Sequence, residues 1–299
     1  MELIRLLRRV WRRKKDRPEG REGKTARAPC VPIDHPSFVR PDPLIYAQHH
    51  LMKLGLAVTW DNPDIQLRRD GAPVSSSLLE PDTDYEVVAR IWNASVDGPV
   101  VQMPVHFSFL DFGAGTVSVP IDSTQVNVGV KGAPGNPAFT SVMWRTPATP
   151  GHYCLQVLLK PADDVNFENN LGQENTDVGH AGSPAHFEFK LRNDTREPHA
   201  YRFLVDAYRI PPRDPCARRD PEGARRKRLA KQAAGNHPLP DGWQVDIDPS
   251  NPSLDPNEEI EVAVAITPPD GWSGTQYVNV NAYHEDGPAG GVTLVVQGS

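Results

Sequence analysis

The chain reads as all-β, two tandem sandwiches of antiparallel strands, and three observations say so. Apolar and polar residues alternate with a period of two through most of the sequence beyond residue 56. Proline and glycine, 31 and 23 among 299 residues, fall between the alternating runs, where turns need them. No helical stretch separates successive runs in the first half, so the crossovers of a parallel sheet have no material.

The elements follow in order. In residues 1–27, Leu3, Ile4, Leu6, Leu7, Val10 and Trp11 gather on one side of a helical wheel, with Arg5, Arg8, Arg9, Arg12 and Arg13 opposite. The expectation is a basic amphipathic helix. Its contact face is formed by Leu3, Leu7, Arg8, Arg9, Trp11, Arg12 and Arg13, and it suits an anionic membrane surface or an acidic partner. The tail carries 11 Lys/Arg against 4 Asp/Glu, whereas residues 28–299 carry 21 against 34, so a basic arm precedes an acidic body. No apolar run there is long enough for a secretory signal or a membrane span. "GREGKT" at 20–25 lacks the earlier glycine and the strand of a phosphate loop and reads as linker.

Residues 28–55 begin as a proline-rich linker. Asp42 as cap, Pro43 at the first turn, Leu44, Ala47, Leu51 and Leu54 at helical spacing, and Gly55 as terminator then predict one short helix packed on the first domain.

The first domain spans 56–180. Val87, Ala89 and Ile91 share a strand face, as do Val105, Phe107 and Phe109, and again Tyr153, Leu155, Val157 and Leu159. "SVDGP", "DFGAG", "VKGAPGNP" and "TPATPG" read as turns between strands. The stretches "NPDIQL", "YEVVARIWNAS" with "PVHFSFL", "SVMWRTPATPGHYCLQVLL" and "NFENN" resemble, in that order, a CARDB module, the immunoglobulin-like cell adhesion related domain found in bacteria. The resemblance covers roughly 120 residues. It departs at Asn93, Ala94 and Ser95, where the family has Asn-x-Gly. What it implies is an immunoglobulin-like sandwich with a binding or adhesion role.

"DDVNFENNLGQENTDV" at 163–178 holds the oxygen ligands that calcium prefers, Asp163, Asp164, Glu168 and Asn170 among them, without the spacing of a calcium loop. The favoured reading is a hairpin turned by Asn169 and Asn170, with a bound calcium as the alternative.

The second domain spans 184–298, with Ile260, Val262, Val264 and Ile266 on one buried face. The stretch from Leu239 to Trp272, marked by Pro240, Gly242, Trp243, Leu254 and Thr267-Pro268-Pro269, is similar to the immunoglobulin-like module found beside NPCBM domains and in bacterial alpha-galactosidases. That likeness implies a non-catalytic accessory and a glycan partner. An insertion at 211–241 is basic, with Arg225, Arg226, Lys227 and Arg228 as its densest run. Within it "GARRKRLAKQAA" could form a short helix with Leu229 nearly alone as an anchor; the favoured reading is a solvated loop, the other a second contact with an anionic surface.

No catalytic pattern appears: there is no C-x-x-C, H-E-x-x-H, G-x-S-x-G, S-x-x-K or strand-linked G-x-G-x-x-G. His152 and Cys154 share a strand face but offer only two metal ligands, and His49 and His50 point about 100° apart on a helix. Three cysteines, Cys30, Cys154 and Cys216, make no disulfide framework and suit a reducing compartment.

The expectation is a non-enzymatic binding or scaffold protein with a protein or glycan partner and no cofactor beyond the calcium alternative. The anionic membrane surface is a further partner, and no nucleic acid is expected. Trp243, Trp272 and Tyr277 are candidate contacts, and a carbohydrate-binding accessory subunit is the alternative function. The expected location is the cytoplasm or the inner face of the membrane, or else the cell surface by a route without a signal peptide.

Overall fold

In the computed structural model, which describes residues 40–111, 113–178, 186–211 and 222–298, the alternating runs become strands whose apolar members face inward. Along the chain come β1 (Pro43–Leu44), helix α1 (Gln48–Lys53), β2 (Ile65–Arg69), β3 (Ala72–Val74), β4 (Asp84–Asn93), β5 (Val100–Asp111), β6 (Gly113–Ala114), β7 (Ser118–Val128), β8 (Ala138–Arg145), β9 (Gly151–Leu159) and β10 (Leu171–Val178). There follow β11 (His186–Arg192), β12 (His199–Ala200), β13 (Arg202–Asp206), helix α2 (Glu222–Ala233), β14 (Gln244–Asp248), β15 (Ser253–Leu254), β16 (Glu259–Thr267), β17 (Gly274–His284) and β18 (Gly287–Gly298). Strand makes up about 52% of the protein and helix about 6%, in several antiparallel sheets without a barrel, which is the all-β, immunoglobulin-like arrangement expected.

One sheet has the order β1-β4-β2-β3 with β8 also on β4, and a second has the order β10-β9-β5-β7. Their facing sides bury Tyr85, Val87, Ala89 and Ile91 against Val105, Phe107, Leu155, Val157 and Leu159. Each such valine, leucine, isoleucine or phenylalanine side chain contributes about 1.5–3 kcal/mol by leaving water. Trp144 on β8, 2% exposed, closes the same core. Phe109 lies 5.9 Å from both Trp144 and Tyr153. The Tyr153 hydroxyl donates back to Thr149 O at 2.9 Å, tying the preceding turn down.

The second pair of sheets, β14-β16-β11-β6 and β13-β17-β18, encloses Phe187, Phe189, Leu191, Val262, Val264 and Ile266 from one side and Val278, Val280, Val292 and Leu294 from the other. β12 and β15 form a separate two-stranded ribbon.

Four local expectations are corrected. Pro43 and Leu44 do not start a helix; they pair with Asn93 and Trp92 as β1. Asp42 cannot cap, because its amide donates to Asn93 Oδ1 at 3.1 Å and its carboxylate accepts from Asn169 Nδ2 at 3.1 Å. The helix begins at Gln48 behind an uncapped Ala47 and ends, as the glycine foretold, where Gly55 takes φ 71°.

"DFGAG" is not merely a turn. Gly113 and Ala114 run parallel to Lys190 and Leu191 of β11, so a segment between β5 and β7 joins the second core. At Gly113, φ 154°, a Cβ would lie 1.9 Å from Lys190 O, so the close approach admits only glycine.

Asn169 and Asn170 do connect β9 to β10, but through a 3-10 turn at Phe167–Asn169 capped by Asn166 rather than through left-handed asparagines, and Asn170 has φ −97°. In the insertion the favoured loop reading gives way to the short helix that its "GARRKRLAKQAA" stretch allowed, since 222–233 is α2. Its last turn is held where Ala57 N donates to Ala233 O at 2.8 Å, a backbone tie that the composition does not announce. Residues 1–39, on which the expected amphipathic helix and most of the linker fall, lie outside the described residues, as do Cys30 and Cys216.

Candidate functional site

Both cores belong to one compact unit, Pro36–Ser299, and the seam between them has a closed half and an open half. The closed half is built on α1 and the segment after it. Met52, Val58 and Trp60 form a small buried cluster, with Leu51 and Tyr283 packed on it. Trp60, 1% exposed, lies on the β17-β18 face. Its indole nitrogen donates to Asn281 Oδ1 at 3.0 Å and its amide to Thr293 Oγ1 at 2.7 Å. From the first sandwich, Asn175 N donates to Trp60 O at 2.9 Å.

The network runs deeper into the second sheet. Thr293 Oγ1 donates to Asn279 Oδ1 at 2.7 Å, Asn279 Nδ2 donates to Asp206 Oδ1 at 2.7 Å, and Asn281 Nδ2 to Asp206 Oδ2 at 3.1 Å. Burial pushes the Asp206 carboxyl above the usual carboxylate range, against these hydrogen bonds. Glu174, 4% exposed, accepts from the Asn62 amide. Burial first, then the nearby Asp61 carboxylate, raise its carboxyl well above the ordinary value. His49 stands edge-on to Trp60 at 5.7 Å, and burial lowers its imidazole.

The open half is a cleft of about 1040 Å³. The first sandwich contributes Asp61, the loop 75–78, His152 and Asn175 to its wall, and the second contributes parts of β11, β14, β16, β17 and β18. Asp61, Glu188, Asp246 and Asp248 line it, and none of its described lining residues is Lys or Arg. Tyr277 presents a ring to it, with the Arg209 guanidinium 4.1 Å above that ring. The cleft is therefore acidic, with hydroxyls from three consecutive serines, an exposed Leu78 and the aromatic residues Phe187 and Tyr277 in its wall.

The sequence-derived candidates are not assembled into one place. In the 163–178 segment, Arg40 Nε pairs with Asp163 at 2.6 Å, and Lys53 Nζ with Glu168 at 3.1 Å, so two of the three carboxylates proposed for calcium already face cations. The third, Asp164, is buried and accepts from Asn166 N at 2.9 Å and Asn170 Nδ2 at 2.7 Å. Asn170 Oδ1 is buried without a hydrogen-bond partner.

In the insertion, Arg225, Arg226 and Lys227 fall on α2 with side chains outside the described set, and Arg228 is exposed. Leu3, Leu7, Arg8, Arg9, Trp11, Arg12 and Arg13 lie outside the described residues. Cys154 is buried, and burial raises its thiol far above the normal range. His49 meets Ala289 O, while His50 lies 3.3 Å from Glu168, so the two go to different partners as their spacing required.

Trp243 and Trp272 are not free loop aromatics. They stack edge to face at 4.7 Å and pack on the second core. What sequence reasoning missed is the seam itself: Trp60, Asn279, Asn281 and Thr293 are ordinary strand and loop residues in sequence. In sequence Asn279 and Asn281 read as the polar, solvent-facing phase of an alternating β17, and the structure buries that phase as well as the apolar one.

Among the described residues no helix is long and apolar enough to cross a membrane. No protein-family model matches the chain, and no curated protein does. Among solved structures it is similar to native alpha-2-macroglobulin of E. coli at 10% identity and a TM-score of 0.24, covering 78% of this chain and 16% of that one. Salmonella alpha-2-macroglobulin reacted with methylamine matches at 9% identity and a TM-score of 0.25, with the same coverages. The Yersinia pseudotuberculosis adhesin InvE matches at 12% identity and a TM-score of 0.19, covering 74% of this chain and 55% of that one. The chain thus spans a small part of the macroglobulins, and likenesses at these scores carry no argument about function. The immunoglobulin-like assignment stands on the sheet topology and the two cores.

Proposed function

We propose that the chain is a non-catalytic binding scaffold in which two immunoglobulin-like sandwiches are fixed to each other and the acidic cleft along their seam takes a cationic segment of a protein partner. The observation that carries this reading is the cleft: two modules supply its walls, four carboxylates line it, and its described lining includes no lysine or arginine, the nearby Arg209 lying over Tyr277 and acting on Asp61 alone of the four. A lysine- or arginine-bearing peptide fits that charge, and the exposed Leu78 offers it apolar purchase. A protein segment is favoured over a glycan because Trp243 and Trp272, the rings a sugar would stack on, are packed against the core. The CARDB-like and NPCBM-associated resemblances support the same non-enzymatic class. The basic residues at 1–27 serve as a separate tether to an anionic surface.

Panning a random peptide library on the intact chain tests the cleft. Lys/Arg-rich sequences should be enriched, and the double variant Glu188→Lys, Asp246→Lys should lose them. No basic enrichment, or the same enrichment with the variant, ends the reading. Vesicles containing anionic lipid test the tether, since deletion of residues 1–27 should abolish co-sedimentation.

A further inference from the structure

Away from the seam, the turn joining β17 to β18 approaches the short strand β12. His199 of β12 is 4% exposed, and its ring stacks on that of His284, the last residue of β17, at 4.3 Å and 28°. Asp286 follows in the turn. Ligand atoms of His199, His284 and Asp286 all lie within 4.8 Å of one another, and among the described residues this is the group of three or more such side chains with that property.

Two features go beyond proximity. His199 Nδ1 is buried with no hydrogen-bond partner, an arrangement that costs stability unless something completes it. Each ring nitrogen of His199 also faces a different carboxylate at a distance too long for a hydrogen bond: Nε2 is 3.7 Å from Asp286 Oδ2, and Nδ1 is 3.8 Å from Glu285 Oε1.

We propose that His199, His284 and Asp286 bind a divalent transition cation of the zinc class, with Glu285 orienting the His199 ring from outside the ligand set. Two imidazoles and one carboxylate suit zinc or cobalt and are a poor set for calcium or magnesium, which take oxygen alone. Neighbouring ligands of a tetrahedral ion held at about 2.0 Å sit about 3.3 Å apart, so the 3.7 Å between His199 Nε2 and Asp286 needs to close by only a few tenths of an ångström.

A movement of the exposed Glu285 side chain by about 1 Å, from 3.8 Å to hydrogen-bond distance of Nδ1, supplies the acceptor that fixes the tautomer and leaves Nε2 as ligand, the usual carboxylate–histidine–metal relation. His284 Nδ1 accepts from the Asp286 amide at 3.2 Å, so it carries a lone pair, and a cation drawing on that lone pair replaces a long hydrogen bond. Three protein ligands leave a coordination position open for water or a partner's side chain.

Tag-free full-length chain, stripped with chelator and titrated with Co²⁺, tests the site. One-to-one saturable binding with a visible-range band of tetrahedral type is expected, displaced by Zn²⁺. His284→Ala and Asp286→Asn, neither buried enough to threaten folding, should each weaken binding by about tenfold or more, and Glu285→Gln by about 10–100-fold with the band retained. Melting curves in chelator should be unchanged for all three, separating metal loss from unfolding. Absence of saturable Co²⁺ or Zn²⁺ binding in the micromolar range, or binding that both ligand variants leave intact, overturns the proposal.

Discussion

In the first sandwich, Val87, Ile91, Phe107 and Leu155 bring no polar side-chain atom into the interior, whereas at the seam Trp60 is buried as deeply among Asn279, Asn281 and Thr293, hydrogen-bonded at every turn. The apolar core excludes water without specifying direction, so side chains of similar volume satisfy it. The seam instead crosses on Trp60, whose indole N–H, amide and carbonyl pair with Asn281, Thr293 and Asn175 in this placement of the sandwiches and lose those partners in another. Hydrophobic burial thus stabilises each sandwich, and the polar latch sets how the two are joined.

The most severe test of that contrast is Trp60→Ala. It removes a buried indole and leaves Asn281 Oδ1 without its donor, for an expected loss of about 3–5 kcal/mol. Because the loss falls on the junction, differential scanning calorimetry should resolve two transitions where the parent shows one. A single lowered transition would mean that the latch is ordinary core.

Leu155→Ala should cost about 2–5 kcal/mol through its cavity, and in chemical denaturation the loss should fall on the first sandwich. At Gly291 an added Cβ would lie 2.6 Å from both Trp60 Nε1 and Val280 O. Gly291→Ala should therefore lower the melting temperature by several degrees and shift Trp60 fluorescence, a change that Leu155→Ala should not produce.

Smaller still is the pH effect of Glu174. Burial holds its folded-state pKa above the unfolded value of about 4.3. The stability of its protonated form is complete below that unfolded value and is lost as pH rises through the raised one. Glu174→Gln, permanently neutral, should match the parent near pH 4 and melt higher near pH 8; a flat difference across that range would contradict the assignment. Arg145→Ala, which removes exposed pairs with Asp82 and Asp84 at 2.8 and 3.2 Å, should leave the melting temperature unchanged.

The strand faces were legible because alternation is local: Ile260, Val262, Val264 and Ile266 announce a buried side whatever lies opposite. The start of α1 was misread because Asp42 and Pro43 carry helix-start chemistry that Asn93 and Asn169, remote in sequence, claim for strand pairing and a side-chain bond. β6 was read as a turn for the same reason, since the partner of Gly113 is Lys190, 77 residues on, a separation that no local rule spans. His199 and His284 gave no spacing signal at all, being brought together only when β12 lies beside the end of β17.

The amino-acid order alone determined the all-β class, the turn chemistry and which side of most strands is greasy, because these depend on a residue and its neighbours two or four places away. The tertiary structure alone decided the Trp60 latch, the acidic cleft and the His199–His284–Asp286 cluster. Each is a meeting of side chains from segments far apart in the chain, and hydrogen bonding and charge act over a few ångströms of space, whatever the distance along the sequence.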